Sequence, residues 1–353
     1  MTVLDDLSVP VVQAPMAGGP STPELAAAVN RGGGLGFVAA GYLTPERLRE
    51  QLLRTAALTD RPFGVNLFTG SDTPGDADAV AAYGRRLGDM ARRAGVELGE
   101  PRFDDDWFAE KAALLVDESV PGLGVVSFTF GLPPVNVARA LRAAGFELWM
   151  TVTSVDEALA AAAAGADALI VQGVEAGGHR GVFVDDDGQS DLTLLAALQL
   201  IAAAVSLPLV GAGAIMTGSA LAAVLAAGAT AGQLGTAYLR SAEAGTSGAQ
   251  RDATAGTAAT VLTRAFSGRT ARGIVNRWHV EHGDAAPGAY PEVHHLTAAL
   301  RAAGRSAGDP DLINLWAGEA HTLASSAPAE EITRRLGADA AAAVAAAAAR
   351  LRG

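Results

Sequence analysis

Glu175-Ala176-Gly177-Gly178-His179-Arg180-Gly181 follows the apolar run Ala168-Leu169-Ile170-Val171-Gln172. A buried strand that empties into a glycine-rich turn carrying one histidine is a place for chemistry. Glycine lacks a Cβ, so backbone there can come close to a ligand. Histidine titrates near neutral pH and can serve such a ligand as base or acid. His179 is therefore the candidate catalytic residue. The rival reading is a core histidine satisfied by backbone, and the glycines on both sides favour function.

A turn of this kind needs strands to hold it. Val11 to Met16, Leu35 to Ala40, Phe63 to Phe68, Val125 to Phe130, Leu148 to Thr153, Ala168 to Gln172, Leu207 to Ala212 and Ala231 to Gly235 read as eight short strands. Their continuous apolarity suits strands covered on both faces. Helical segments alternate with them: Pro23 to Arg31, a helix opened by Thr44-Pro45-Glu46, Val135 to Ala144, and one capped by Ser154 with Glu157 completing a capping box. The pattern predicts an α/β fold of the (β/α)8 TIM-barrel class. A doubly wound open sheet is the rival, and it would carry a glycine fingerprint after the first strand. That strand ends in Ala14-Pro15-Met16-Ala17-Gly18-Gly19-Pro20, which does not match. Gly32-Gly33-Gly34-Leu35-Gly36 precedes a strand, as a tight helix-to-strand turn does.

Residues 69–123, acidic and irregular, and residues 240–325 interrupt the spacing after strands three and eight. They read as insertions at the active-site face of one domain spanning 1–353, and Ala327 to Gly353 as a final helix. The net charge of −12 disfavours nucleic acid and anionic lipid as partners. Absence of cysteine removes disulfides, thiolate nucleophiles and Cys-held metals, and fits a cytoplasmic location. The first ten residues hold two aspartates and no basic-then-apolar pattern, so no signal peptide is expected. From Leu192 to Leu239 there is no charge, but Pro208, Gly211, Gly213, Gly218, Gly228 and Gly232 break the run into strand–helix–strand pieces rather than a membrane span. His279, His282, His294 and His295 fit no standard metal spacing, so no metal is expected. Asp104-Asp105-Asp106 and Asp185-Asp186-Asp187 read as exposed turns.

In a barrel the carboxyl ends of the strands converge. Pro15, Met16 and Ala17 lie at the end of the first strand, Asn66 stands in the third, and Gln172 ends the sixth ahead of Gly177 and Gly178. Gly213 and Ala214 follow the seventh, and Gln233-Leu234-Gly235-Thr236 closes the eighth. Backbone N–H groups after strands seven and eight suit a phosphate. Side-chain amides suit the edge of a heterocycle and are costly to bury unpaired. Phosphate site, amides and an apolar wall together describe flavin mononucleotide (FMN).

At these residues the chain resembles the nitronate monooxygenases, also called 2-nitropropane dioxygenases. The matching pieces are Gln13-Ala14-Pro15-Met16-Ala17-Gly18, Gly64-Val65-Asn66-Leu67-Phe68, Val126-Ser127-Phe128-Thr129-Phe130-Gly131, Gln172 through His179, Gln233-Leu234-Gly235-Thr236 and Leu315-Trp316-Ala317-Gly318. The resemblance implies FMN in the barrel mouth, contacted by Asn66, Gln172, Gly177 and the Gln233–Thr236 segment. It implies oxidation of an alkyl nitronate by dioxygen to a carbonyl compound and nitrite. His179 then faces the flavin as base or charge partner. Protonated, it offsets the nitronate charge; neutral, it removes the α-proton of a nitroalkane. Ser127, His295 and Trp316 are expected at the substrate pocket. Two departures stand out. Gly213-Ala214 replaces the usual Gly-Gly, which serves if Ala214 does not need a positive φ. Tyr290-Pro291-Glu292-Val293-His294-His295 and Arg301 occupy the stretch where some members carry tyrosines and a lysine. Two further readings stay open: an FMN-dependent NAD(P)H:quinone or enoyl-thioester reductase, and a non-catalytic flavin-binding barrel, against which the retained His179 argues. Nitronate and dioxygen are the expected small-molecule partners, and a homodimer is one assembly open to the chain.

Overall fold

The computed structural model describes residues 2–70, 73–186 and 188–352, so Asp187 of the second acidic triplet lies outside them. In chain order the first half holds β1 (Val11–Gln13), α1 (Pro23–Arg31), β2 (Phe37–Ala39), α2 (Pro45–Leu58), β3 (Phe63–Phe68), α3 (Ala77–Ala94), α4 (Phe108–Asp117), β4 (Leu123–Thr129), α5 (Val135–Ala143), β5 (Glu147–Val152) and α6 (Val155–Ala163). The second half holds β6 (Ala168–Gln172), β7 (Gly178–His179), α7 (Leu194–Ala204), β8 (Leu209–Ala212), α8 (Gly218–Ala226), β9 (Ala231–Leu234), α9 (Gly248–Ala255), β10 (Thr260–Thr263), β11 (Ala271–Ile274), α10 (Arg277–His282), α11 (Glu292–Ala307) and α12 (Ala329–Arg352).

Eight strands pair in parallel in the order β1-β9-β8-β6-β5-β4-β3-β2. The open edges then meet. Val12 bridges Leu35, the Leu35 N–H donates to the Val11 carbonyl, and the Gln13 N–H donates to the Leu35 carbonyl. The Gln13 side chain extends this seam by accepting from the Phe37 N–H at 2.9 Å. The sheet is thus a closed (β/α)8 barrel. At Gly36 a Cβ would stand 2.3 Å from the Ala26 carbonyl oxygen, so only glycine lets α1 pack this close to the strand.

Each strand alternates its faces. Phe63, Val65 and Leu67 of β3 pack outward with Val126 and Phe128 of β4 and Leu169 and Val171 of β6, under the helices. Val125, Trp149, Ala168, Ile170 and Ala231 point inward. Two residues further along the same inward faces stand Ser127, Thr151, Gln172 and Gln233. The interior therefore turns from apolar to polar at its carboxyl end. At the other end a 3₁₀ turn, Val3–Asp6, inserts Leu4 beneath the inner core.

Helix starts follow the expected caps: Thr44 accepts from the Arg47 N–H at 3.4 Å and Ser154 from the Glu157 N–H at 3.2 Å. The capping box at Ser154 does not form. Glu157 instead accepts from the Thr153 N–H at 2.6 Å and the Phe183 N–H at 2.7 Å, two donors at a strand end and a loop that need it more. The segment 69–123 is not irregular. It holds α3 and α4, and α4 packs between α2 and α5 as the barrel helix behind β3. Likewise α12 packs against α8 and α1 and completes the ring. The remaining inserted parts share one apolar core, in which Tyr83, Leu87 and Met90 of α3 meet Phe266, Trp278, Val293 and Leu300. A small antiparallel sheet, β10-β11-β7, ties this cap to the turn that carries His179. Among the described residues no helix is long and apolar enough to cross a membrane.

Candidate active site

A cavity of about 400 Å³ opens between the carboxyl ends of the strands and the cap. Pro15, Met16, Ala17, Asn66, Gln172, Gly177, Gly178, His179, Gly213, Ala214, Gln233, Leu234, Gly235, Thr236 and Trp316 all line it. Ser127 and His295 do not. Ser127 is fully buried and acts behind Asn66. His295 sits with Nε2 2.9 Å from Asp104 Oδ2, and its neighbour His294 lines the cavity in its place.

The three amides are not equivalent. Asn66 turns its Nδ2 to Ser127 Oγ and Thr129 Oγ1, each at 3.0 Å, and its Oδ1 meets no donor among the described residues. Gln172 is consumed by the protein: Oε1 accepts from Arg180 Nη1 at 3.0 Å and from the Gly181 N–H at 2.8 Å, and Nε2 donates to the His179 carbonyl at 3.0 Å. Gln172 thus shapes the His179 turn and offers a ligand at most one N–H. Gln233 is the reverse case, with a buried Oε1 that meets no donor among the described residues. An orphaned buried carbonyl oxygen costs about 1–3 kcal/mol, so it points to a ligand that donates there.

Beside Gln233 the backbone forms a cradle. The N–H groups of Gly213, Ala214, Gly235 and Thr236 meet no backbone acceptor among the described residues. Gly213 has φ +141° and Ala214 φ +49°. The condition placed on Ala214 is therefore not met: it adopts the left-handed region, where a Cβ is strained by roughly 1–2 kcal/mol. Gly178, at φ +76°, has open space where a Cβ would stand. Gly177 is different, because a Cβ there would lie 2.4 Å from the Gly318 nitrogen. That close packing brings Trp316 to the cavity.

His179 pairs with Ala271 across β7 and β11. Its Nε2 lies 2.8 Å from Ser267 Oγ. The Ser267 hydroxyl also reaches the Arg269 carbonyl at 3.2 Å, an arrangement that suits the tautomer in which Nε2–H donates to Ser267 and Nδ1 is the acceptor. Phe130 stands edge-on to the imidazole at 5.8 Å and Trp316 at 5.6 Å. Burial, reinforced by the Arg269 charge, lowers the His179 pKa to about 3. His179 is thus neutral at pH 7, and the protonated form expected to offset a nitronate is not the resting one. Arg269 carries that charge nearby: its guanidinium lies 4.0 Å from the centroid of Phe130, a residue itself held at φ +81°.

The outer wall adds Tyr42, which sequence reasoning overlooked, to the stretch of Tyr290, His294 and Arg301 that the resemblance had singled out. Tyr42 stacks on His294 at 4.0 Å, and its hydroxyl lies 3.4 Å from that of Tyr290. The Tyr42 N–H donates to Asp106 Oδ1 at 3.0 Å, and Lys111, 1% exposed, holds Asp106 Oδ2 at 2.8 Å. Asp104 and Asp106 are therefore paired supports of this wall, and only Asp105 of that triplet is exposed. Thr129 and Thr151 also line the cavity, and their inward strand positions were the signal for them. Among the lining residues there is no Asp or Glu, while Arg301 and Arg305 are present. Among the described residues no group of three or more His, Asp or Glu is placed to hold a metal.

Residues 2–339 match the family model described as nitronate monooxygenase. The chain is similar to the nitronate monooxygenase of Pseudomonas aeruginosa, 42% identical over 93% of this chain and 95% of that protein. It is 39% identical to that of Paraburkholderia phytofirmans, over 93% and 91% of the two chains. Among solved structures it resembles nitroalkane oxidase from Streptomyces ansochromogenes, with a TM-score of 0.94 and 47% identity over 98% of this chain and 99% of that one. FabK from Thermotoga maritima is more distant, with a TM-score of 0.74 and 25% identity over 99% and 98% of the two chains. With its barrel, its His179 turn and this match from end to end, the chain belongs to the nitronate monooxygenase family.

Proposed function

We propose that the cavity binds FMN and that His179 is the base which prepares the substrate for its oxidation by dioxygen to a carbonyl compound and nitrite. The residues fit the cofactor. The unpaired N–H groups of Gly213, Ala214, Gly235 and Thr236 suit its phosphate, and no lysine is needed. Asn66 Oδ1 and Gln233 Oε1 suit the polar edge of its ring system. Bound flavin supplies the electron transfer, and the protein supplies position and electrostatics.

The observation that carries the reading is the placement of His179: it lines the cavity, and Ser267 Oγ orients its ring through Nε2 at 2.8 Å. Nδ1 takes the α-proton of a bound nitroalkane, which leaves the nitronate anion and an imidazolium held by Ser267. A substrate that arrives as nitronate needs no such step and meets the Arg269 charge behind Phe130 instead. Phe130, Tyr290 and Trp316 crowd the imidazole and keep water from it. Replacing His179 with Ala is expected to leave flavin content unchanged and to lower kcat/KM for neutral nitroalkanes by about 10²–10⁴-fold. Turnover of nitroalkanes at the wild-type rate would remove the assignment. Anaerobic mixing separates the reductase reading: nitronate is expected to bleach the flavin, and bleaching by NADH but not by nitronate would reverse the choice.

A further inference from the structure

Lys111, on α4, is the single lysine among the chain's 26 lysines and arginines. Elsewhere every long cationic side chain is arginine, so this position selects the compact ammonium with its three donors over the planar guanidinium. The buried Nζ donates to the Ala40 carbonyl at 2.9 Å and to Asp106 Oδ2 at 2.8 Å. Asp106 Oδ1 accepts from the Tyr42 N–H at 3.0 Å. The ion pair therefore grips the turn after β2 on both sides of Gly41. Among the described residues five other than glycine have a positive φ, and three of them meet here: Tyr42 at +68°, Asp106 at +58° and Trp107 at +52°. A left-handed tyrosine is strained, and strain of this kind lasts only where neighbouring contacts dictate it.

The conformation aims one ring into the wall of the cavity. A Cβ on Gly41 would collide with the Phe68 ring, so glycine there lets Phe68 close in. Tyr42 then meets Phe68 edge-on at 5.7 Å, stacks on His294 at 4.0 Å and brings its hydroxyl to 3.4 Å from that of Tyr290. Phe68 packs on Phe130 at 4.6 Å, and the rings of Phe130 and Tyr290 each stand 5.8 Å from the His179 imidazole. Tyr42 is thus in contact with both aromatic paths that lead to His179. Asp106 and Lys111 do not line the cavity themselves, so any effect they have on the reaction passes through the turn they hold.

We propose that Asp106 and Lys111 are positioning residues for the reaction at His179: they hold Tyr42 in its left-handed conformation and so set the aromatic wall that orients substrate against the imidazole. The rates in the test rest on the flavin-bound nitronate reading above, and the geometry does not. Two double variants separate positioning from a merely structural ion pair. Both remove the buried charges together, which avoids leaving one ion without its partner. D106N/K111M keeps an acceptor for the Tyr42 N–H, and D106G/K111M does not; asparagine and glycine both tolerate a positive φ. Crystal structures are expected to show Tyr42 displaced from the His294 ring in D106G/K111M and stacked on it in D106N/K111M. With a nitronate substrate, kcat per bound flavin is expected to fall about tenfold or more in D106G/K111M, because small misplacements cost rate steeply, and the asparagine variant to recover most of that loss. In a Tyr42→Ala background the two doubles are expected to turn over equally.

Tyr42 in its wild-type place in the D106G/K111M crystal overturns the proposal. So does a loss of equal size in the two doubles, or a loss confined to melting temperature and flavin content, since either would leave the pair a purely structural role. If D106G/K111M does not fold, Asp106→Ala in the same K111M background carries the comparison. If no nitronate is turned over by the wild type, the nitronate reading falls, and the crystal structures still decide the positioning.

Discussion

The charge on His179 is set by what surrounds the ring. Because burial and Arg269 depress its pKa to about 3, the neutral base persists far into acid. With a neutral nitroalkane as substrate, kcat/KM is therefore expected to show no acid limb near pH 6.5. Arg269→Met is expected to move a limb upward into the measurable range; a wild-type limb between pH 6 and 7 would contradict the assignment. Ser267 fixes which nitrogen is free, so Ser267→Ala is expected to lower kcat with nitroalkanes more than with preformed nitronates. Ala214 is a local cost. Ala214→Gly relieves a left-handed alanine and is expected to raise stability by up to about 1 kcal/mol, offset in part by glycine entropy, as thermal unfolding would measure. Asn66 and Gln233 were legible because an amide inside an apolar strand stands out. Ser267 was not, since it reaches the cavity only through packing between segments distant in sequence, whereas Arg301 was singled out through the resemblance alone. The competition of Arg180 and Gly181 for Gln172 was hidden for the same reason.

At the scale of elements, local signals served the barrel well. The strands at Phe63–Phe68 and Ala168–Gln172 and the helix at Pro23–Arg31 fall where apolar runs and Pro placement put them. The antiparallel sheet was illegible because β7 has two residues and its partners four each, too short for any periodicity to show. In α3, Val80, Tyr83, Leu87 and Met90 do recur at helical spacing, but the acidic flanks masked the stripe. The final helix has two unlike halves: Ala329, Ile332, Leu336 and Ala340 are buried, and no later residue among those described is. Ending the chain after Ala342 is expected to leave the melting temperature nearly unchanged. Ending it before Ala329 removes the helix between α8 and α1 and is expected to yield insoluble protein; a soluble flavoprotein from that truncation would disprove the structural role given to α12.

Across the whole molecule, composition pointed to an acidic surface and said nothing of the opposite sign inside. A chain of net charge −12 surrounds a cavity without acidic side chains, and only the assembled cap reveals it. The same burial has a cost in acid. His179 and His294 have folded pKa values depressed below the ordinary 6.5, so the unfolded chain binds more protons than the folded one as pH falls below that value. Stability is expected to decline by about 1.4 kcal/mol per pH unit for each such histidine. Urea titrations from pH 7 to 5 would measure this, and His294→Gln is expected to flatten the slope.

The 3₁₀ turn that sets Leu4 under the barrel has one more implication. With Leu4 packed at that end, reactants and products are expected to share the mouth at the carboxyl ends of the strands. The carbonyl product must leave by the route its successor enters, and it is expected to compete with incoming nitronate for the same passage.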